Sequence, residues 1–360
     1  MKKLRFAAYE DKNSFRRVWD KCFNDSDVFS TWLFDNRFFP EMSVCLEEDN
    51  KIVSCIQSIP LNLYIRGKSI PSALVMGVST DPEYGGRGYM KELYSFYLNN
   101  ISEKGVILCP NTPVKIDTYY FSGAYPVSDI SFAEGETDDS VKSTGVELIN
   151  KDEYMDELYD LYCGFYKNYS GIVSRSLANF KLKAEDYTVD GGLVAVHKKD
   201  DRIDGYTFFY NMDELIYAEE TVWSNENAKD EIIKFISSFT NGKKYKIKLP
   251  ADMGGIPRSV MNIASVNKLL KALSLDCDGV IEISDPVNKE NSGSFSLKDG
   301  RTYEPAHVSM DIGAFTQLIA GYRSLYELLF EGRAVIHNKE KADAIDKALP
   351  KLKTFIFDEY

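Results

Sequence analysis

The hydrophobic positions at the start of the chain follow the spacing of short β-strands, with two amphipathic helices among them. Alternating or clustered apolar residues predict strands at 4–9, 43–46, 52–56, 61–65 and 70–80. Helical spacing predicts helices at about 13–22 and 28–39. The turn sequences Glu48-Asp49-Asn50-Lys51 and Arg66-Gly67 separate consecutive strands, so two β-hairpins are expected in this region.

A longer amphipathic helix is predicted to begin near Arg87. Its apolar residues recur three or four positions apart and form one continuous stripe, made of Met90, Leu93, Tyr94, Tyr97, Leu98 and Ile101. Lys104-Gly105 supplies the cation and the glycine that typically end a helix. A buried strand at 106–109, a short helix at 114–121 and a strand at 127–132 are expected to follow.

The region after residue 146 repeats this order of elements. Helices are predicted at 152–165 and 228–239, and strands at 193–197, 206–210, 215–222 and 244–249. The strand-to-helix junction of this second unit, Trp223-Ser224-Asn225-Glu226-Asn227, contains neither a glycine nor a cation. The second unit therefore resembles a copy of the first unit in which this junction has lost its ability to bind a ligand.

The domain boundaries are predicted from composition. The acidic run from Glu134 to Ser140 is typical of a linker. After Gly279 the pattern changes again, with strands at 280–283 and 293–297 and helices at 312–320, 325–330 and 339–349. We expect three domains, at residues 1–140, 141–277 and 278–360, in the mixed α/β (α+β) class.

The junction between the strand at 70–80 and the following helix carries the strongest chemical signal. Gly85, Gly86 and Gly88 remove side chains from a loop that stands at a helix N-terminus. Backbone N–H groups at such a position converge on an anion, and the helix dipole and Arg87 add positive charge. A pyrophosphate fits this loop; a glycine-rich surface turn without a ligand is the alternative.

Composition narrows the choice of partners. The chain has 360 residues and a formal net charge of −12, which argues against nucleic acid and suits a cationic small molecule, although solubility alone explains it equally well. The longest apolar runs are strand-length, so no membrane span is expected. Six cysteines without CxxC spacing indicate neither zinc nor a disulfide framework, and no metal site is expected; a reducing cytoplasm fits best.

The segment from Thr80 to Met90 resembles the acetyl-CoA loop of GCN5-related N-acetyltransferases (GNAT), and Tyr119-Tyr120-Phe121-Ser122-Gly123-Ala124-Tyr125 resembles the tyrosine box that ends this fold. A second, degenerate acetyltransferase-like unit, a sterol-carrier-protein-like tail and an aromatic last residue extend the resemblance to the enhanced intracellular survival (Eis) family. The resemblance implies tandem GNAT folds, with mixed sheets flanked by helices, followed by a sterol-carrier-like domain.

The resemblance implies acetyl-CoA as the co-substrate. Backbone groups of Val78 and Thr80 would align the pantetheine arm, and the loop and first helical turn would hold the pyrophosphate, through Gly85, Gly86, Arg87, Gly88, Tyr89 and Met90. Gly85 departs from the family loop, which usually has Arg or Gln there, and Lys91 in the first helical turn would compensate.

Two groups are the candidates for catalysis. The tyrosine box makes Tyr120 the phenol expected to protonate, or hydrogen-bond, the departing thiolate, although a tyrosine-rich chain also places such residues in its core. The resemblance implies that the α-carboxylate of Tyr360 folds back and accepts a proton from the amine. A frayed tail is the alternative fate of a chain end, and the apolar run Phe355-Ile356-Phe357 argues against it.

Glu359, Asp27 and Trp32 are the candidates for binding the acceptor. Asp25 and Asp27 lie where this fold builds its acceptor wall, with helix capping as the alternative for either. Trp19 and Trp32 lie on amphipathic helices and are expected to be mostly core, although Trp32 could face the acceptor.

The predicted function is direct transfer of an acetyl group from acetyl-CoA to a primary amine of a small, cationic acceptor, of the aminoglycoside or lysine type. Self-assembly into a homo-oligomer is implied by resemblance only. Two rival hypotheses stay open here: a protein that binds or senses acyl-CoA without turnover, and a carrier of an apolar ligand.

Overall fold

The computed structural model describes residues 2–251 and 254–359. The first unit contains six strands: β1 (Lys2–Phe6), β2 (Val44–Glu48), β3 (Lys51–Ile65), β4 (Lys68–Thr80), β5 (Leu108–Asn111) and β6 (Tyr125–Glu136). Its α-helices are α1 (Lys12–Cys22), α2 (Asp27–Asn36) and α3 (Tyr89–Asn100). Both predicted hairpins are confirmed, and the predicted short helix is a 3-10 segment, Ile116–Ser122.

The second unit contains seven strands: β7 (Val146–Ile149), β8 (Ile172–Val173), β9 (Leu193–Lys199), β10 (Arg202–Asn211), β11 (Leu215–Trp223), β12 (Lys244–Pro250) and β13 (Ile256–Ile263). Its helices are α4 (Met155–Tyr166), α5 (Leu177–Thr188) and α6 (Glu226–Ser238). The predicted repeat of the first pattern is present, and β7, β8, α5 and β13 are additions that the sequence pattern did not indicate.

The third unit packs four helices on a smaller sheet. Its elements in chain order are α7 (Val266–Leu273), β14 (Val280–Ser284), β15 (Gly293–Ser296), β16 (Gly300–Arg301), β17 (Val308–Asp311), α8 (Ile312–Ala320), α9 (Leu325–Phe330), β18 (Ala334–Ile336) and α10 (Lys339–Ala348). The strand order is β16-β15-β14-β17-β18. A segment of 350–359 then returns to the first two units.

The first two units share a single 13-stranded sheet. Its strand order is β1-β2-β3-β4-β5-β13-β6-β12-β11-β10-β9-β7, with β8 paired to β3. The two units exchange strands, because β13 of the second unit pairs with β5 and β6 of the first, and β6 pairs with β12. Residues 134–136 are part of β6 and pair with β12. The predicted linker therefore does not begin at Glu134, and this part of the prediction is wrong.

Parallel pairing at two places shapes the sheet. Strands β4 and β5 are parallel neighbours, and so are β11 and β12. Each pair separates before its longer strand ends. Every unit of the tandem therefore has one V-shaped opening in the sheet, and we call these openings the first cleft (β4/β5) and the second cleft (β11/β12).

Helix α3 covers the sheet next to the first cleft. Its predicted apolar stripe is confirmed, since Leu93, Tyr94, Tyr97 and Leu98 are buried against β2 to β4. The helix begins at Tyr89 rather than near Arg87, because Gly88 adopts a left-handed conformation (φ +78°). In the ranges 2–251 and 254–359, no helix combines the length and apolar character needed to cross a membrane.

Candidate active site

Strand β4 forms one wall of the first cleft. It pairs with β5 at Ser72 and Val75 and continues to Thr80 along β3. A register shift opposite Gly77 (φ +56°) makes a β-bulge, which re-aims the strand just before Val78. The backbone edge from Val78 to Thr80 is thus turned away from β5. An extended ligand can add to this edge as an extra strand would.

The glycine loop lies directly after β4. A 3-10 turn, Pro82–Tyr84, is capped by Asp81, and Gly86 and Gly88 then adopt left-handed conformations (φ +73° and +78°) before α3 begins. A Cβ added at Gly86 or Gly88 would meet no atom within 4 Å. The glycines are therefore required by backbone conformation, and the space beside them is open. Successive N–H groups in such conformations form a concave anion site.

The charged side chains around this loop are engaged with one another. Arg87 pairs with Glu48 at 3.2 Å and lies 4.9 Å over the ring of Tyr84. Asp81 is fully buried; burial opposes its ionisation, but the hydrogen bonds from Lys21 at 3.0 Å lead to a lowered pKa. Arg87 is half exposed and close to the loop, so it can exchange Glu48 for a phosphate.

The two adjacent tyrosines of the box face different surroundings. Tyr119 is 7% exposed, packs edge-on against Tyr94 at 5.2 Å, and has its pKa raised by burial. The side-chain amide of Asn111, the last residue of β5, offsets part of that rise. Tyr120 is 42% exposed and stacks on Tyr125 at 4.7 Å. Tyr119 thus lies beside the first cleft, and Tyr120 faces outward.

A polar atom at the end of β5 is left without a partner. The Nδ2 atom of Asn111 is buried and has no hydrogen-bond partner among the described residues. Asn111 pairs with Val75 at the point where β4 and β5 begin to separate. The same amide is close enough to the hydroxyls of Tyr94 and Tyr119 to offset part of the rise in their pKa, so it can serve these phenols or a group bound in the first cleft.

A cavity of about 460 Å³ opens next to the same end of β5, where Thr112 lines it. Six aromatic residues line it: Trp19, Phe23, Phe29, Tyr187, Tyr210 and Tyr217. Its charged lining consists of Asp25, Asp186, Glu219, Glu359, Lys183 and Arg258. Helix α5 and strands β10 and β11 of the second unit provide much of this wall. The sequence pattern predicted both strands but not α5, and it gave no signal that these elements meet the first unit at this cavity.

The carboxylates of the cavity differ in how their charge is balanced. Lys183 lies 2.6 Å from Asp186, and both are buried. Asp25 accepts a hydrogen bond from the indole of Trp19 at 2.9 Å and joins no ion pair among the described residues. Burial, followed by the nearby charges of Asp190 and Asp20, raises the pKa of Asp25. Asp25 is therefore the carboxylate most in need of a cation.

The chain end reaches this cavity. The hydroxyl of Thr112 donates to the carbonyl of Asp358 at 3.4 Å, which places residues 358 and 359 beside the end of β5. Burial opposes ionisation of Glu359, but Lys248 and Arg258 outweigh it and lower its pKa to about 2. Glu359 lines the cavity, with its charge balanced by Lys248 and Arg258, and its role toward an acceptor stays a prediction. Tyr360 lies outside the described residues.

Two of the predicted acceptor residues lie elsewhere. The side chain of Asp27 is 91% exposed and pairs with Arg16. Trp32 stacks on Phe29 at 6.5 Å and lies near Arg37. Neither is part of the cavity lining, which instead contains their neighbours Asp25 and Phe29.

Comparison with known proteins agrees with this geometry. Residues 3–126 match the family described as acetyltransferase (GNAT) domain, and residues 266–356 match the sterol carrier protein domain. No curated protein sequence matches the chain.

Solved structures of similar fold cover the whole chain. A conserved protein from Enterococcus faecalis V583, described as a probable N-acyltransferase, has a TM-score of 0.84 at 17% identity, with both chains covered fully. A GCN5-related N-acetyltransferase from Anabaena variabilis ATCC 29413 gives 0.82 at 17%, also over 100% of both chains. Eis1 from Mycobacterium abscessus gives 0.75 at 15%, over 99% of this chain and 100% of the other.

The matched family, the open cleft beside a left-handed glycine loop, and the cavity at the end of β5 agree with one another. Residues 3–126 therefore form an acetyltransferase (GNAT) domain and residues 266–356 a sterol carrier protein domain, within a fold that the whole chain shares with these solved structures.

Proposed function

We propose that the protein transfers an acetyl group from acetyl-CoA directly to a primary amine of a small, cationic acceptor. One observation carries this proposal: the first cleft and the acidic, aromatic cavity meet at the end of β5, where Asn111 and Thr112 are consecutive. A thioester in the cleft and an amine in the cavity would be held next to each other. Such positioning is a large part of the rate of a direct transfer.

The cofactor would bind through backbone more than through side chains. The edge of β4 at Val78 and Thr80 would pair with the pantetheine arm, and the amides of Gly86, Gly88 and the first turn of α3 would hold the pyrophosphate. The same stretch includes Gly85, Tyr89 and Met90. Arg87 would then leave Glu48 for a phosphate oxygen.

The acceptor would enter as an ammonium ion. Asp25 offers an unbalanced negative charge, and the aromatic wall offers ring faces that attract cations. Burial in this cavity also makes the neutral amine easier to form, because a desolvated ammonium has a lowered pKa. An aminoglycoside-like or lysine-type amine has this chemistry.

The transfer itself requires two proton movements. The bound ammonium gives up one proton, and the neutral amine attacks the thioester carbonyl. As the C–S bond breaks, the nitrogen loses a second proton, which the departing thiolate takes up directly or through solvent. We propose the α-carboxylate of Tyr360 as the proton acceptor, supported by the docking of Asp358 and Glu359 beside β5.

The six free cysteines fit a reducing compartment, so we propose a cytoplasmic location.

For the departing thiolate, Tyr119 is the better-placed phenol and Tyr120 is the alternative that the sequence favours. A phenol pKa of about 10 against about 8.5 for a thiol makes full proton transfer uphill by roughly 2 kcal/mol, and burial raises the pKa of Tyr119 further. Tyr119 would therefore act mainly by hydrogen-bonding the developing charge.

Thiol release from acetyl-CoA with a panel of amines tests the proposal. Tyr119→Phe is expected to lower kcat by roughly 10²-fold, with acetyl-CoA affinity retained, and Tyr120→Phe is expected to have the smaller effect. If Tyr120→Phe had the larger effect, Tyr120 would be the phenol that stabilises the thiolate.

A one-residue extension after Tyr360 tests the proton acceptor and is expected to abolish turnover. Full activity of the extended chain would exclude the α-carboxylate of Tyr360 as the base. An absence of release with every amine would refute the proposed function.

A further inference from the structure

The second cleft has the same construction as the first. Strands β11 and β12 pair from Leu215 to Ala218 on β11 and from Lys244 to Ile247 on β12. Beyond these residues β11 continues along β10 and β12 continues along β6, so the two strands separate. The side chains just past the separation are charged and buried, in contrast to the open first cleft.

A segment of the chain itself occupies the second cleft. Lys248 on β12 is 1% exposed, donates to the carbonyl of Phe357 at 3.1 Å, and pairs with both Glu219 and Glu359. Arg175 joins Glu220 on β11 to Asp358, with N–O distances of 2.7 and 3.0 Å.

The apolar part of the same segment is buried as well. Phe355, Ile356 and Phe357 are each at most 2% exposed, and Phe357 stacks on Phe165 at 5.8 Å. Backbone, carboxylates and aromatic rings of this segment thus all find partners at the second cleft or beside it.

We propose that residues 354–359, the docked segment, form a built-in ligand of the second cleft, at the place that the first unit offers to the cofactor. Lys248 and Arg258 are then positioning residues: they hold Glu359, next to Asp358, whose carbonyl accepts a hydrogen bond from Thr112 beside the first cleft. This inference rests on the proposed function only where it gives the position of the docked segment a role in catalysis.

Charge explains why Lys248 controls the placement. It stands between Glu219 and Glu359, and each carboxylate is largely removed from water. Without the lysine, the buried carboxylates of Glu219 and Glu359 face each other. Glu359 then keeps its ion pair with Arg258 alone. Buried like charges are strongly disfavoured, so the docked segment is expected to leave the second cleft for solvent.

The test uses the full chain with Lys248→Met, and Lys246→Met as the matched control. Lys246 lies on the same strand, has a side chain that is 36% exposed, pairs with Glu134 at 3.6 Å and lies 3.9 Å over the ring of Phe132, and it does not contact the docked segment through any of these interactions. The rate at which carboxypeptidase removes the terminal residues is expected to rise at least tenfold in Lys248→Met and to stay unchanged in Lys246→Met. The kcat for acetyl transfer is expected to fall at least tenfold, with KM for acetyl-CoA within twofold of wild type.

Arg258→Gln provides a second variant that leaves Lys248 in place. The rate of carboxypeptidase release is expected to rise and kcat is expected to fall, each by a smaller factor than in Lys248→Met. This variant tests the proposal on its own if Lys248→Met does not fold. Unchanged carboxypeptidase release in these variants would overturn the placement. A parallel loss of acetyl-CoA affinity would overturn the positioning role. If the wild type showed no acetyl transfer at all, the release rates would still test the placement independently.

Discussion

Gly77 connects the first cleft to the acceptor cavity, and its replacement by alanine tests this connection. The residue forms the bulge of β4 with φ +56°. A Cβ there would lie 2.9 Å from Cε3 of Trp19 and closer still to Cζ3. Trp19 cannot yield easily, because it is 3% exposed and packs on Phe23 at 4.3 Å and Phe34 at 5.9 Å.

The expected loss of stability has two parts. A left-handed conformation costs a non-glycine residue roughly 1–2 kcal/mol, and overpacking a core adds about 1–3 kcal/mol. Gly77→Ala should therefore lower the free energy of unfolding by roughly 2–5 kcal/mol. Gly242 has φ +77° and open space at its Cβ position, so Gly242→Ala carries the first cost alone.

Urea denaturation of the two variants against wild type measures the difference, which should be about 1–3 kcal/mol in favour of Gly242→Ala. The displaced indole should also loosen its hydrogen bond to Asp25, so KM for the amine should rise in Gly77→Ala. Equal stability of the two variants would show that the ring of Trp19 yields freely and would refute the reasoning.

Two further predictions concern the cofactor and the acceptor. Gly88→Ala places a methyl group in the space assigned to the pyrophosphate, so calorimetry should show weaker CoA binding, with Gly242→Ala unchanged; equal affinity in both would argue against this loop as the anion site. Since the pKa of Asp25 is raised above 3.8, its charge is lost as the pH falls through that raised value. The KM for the amine should rise in the same range and that for acetyl-CoA should not; an Asp25→Asn variant with the same pH profile would exclude Asp25.

Periodicity predicted the elements whose buried face is apolar throughout. Helix α3 is the example, because its apolar stripe packs against one face of the sheet. Helix α5 escaped this reasoning for the opposite reason. Its buried face mixes Phe180, Ala184 and Tyr187 with Lys183 and Asp186, which neutralise each other, so charged residues interrupt the apolar stripe in the sequence.

Long-range contacts could not be predicted from local pattern. The acceptor cavity brings Trp19, Asp25 and Glu219 together from two units, and no spacing in the sequence relates them. Sequence reasoning assigned Glu359 the attraction of a cation, whereas Lys248 and Arg258 already balance its charge. The partners of a buried charge are visible only once the fold is known.

The exchange of β6 and β13 has a consequence for how the protein can be made. Since β13 completes the sheet beside β5, a fragment that stops before Ile256 would leave a bare strand edge, which is a template for aggregation. Synthesis on the ribosome must therefore proceed well past the matched acetyltransferase residues before that domain can close. Cutting the gene between the two units would not yield two working halves.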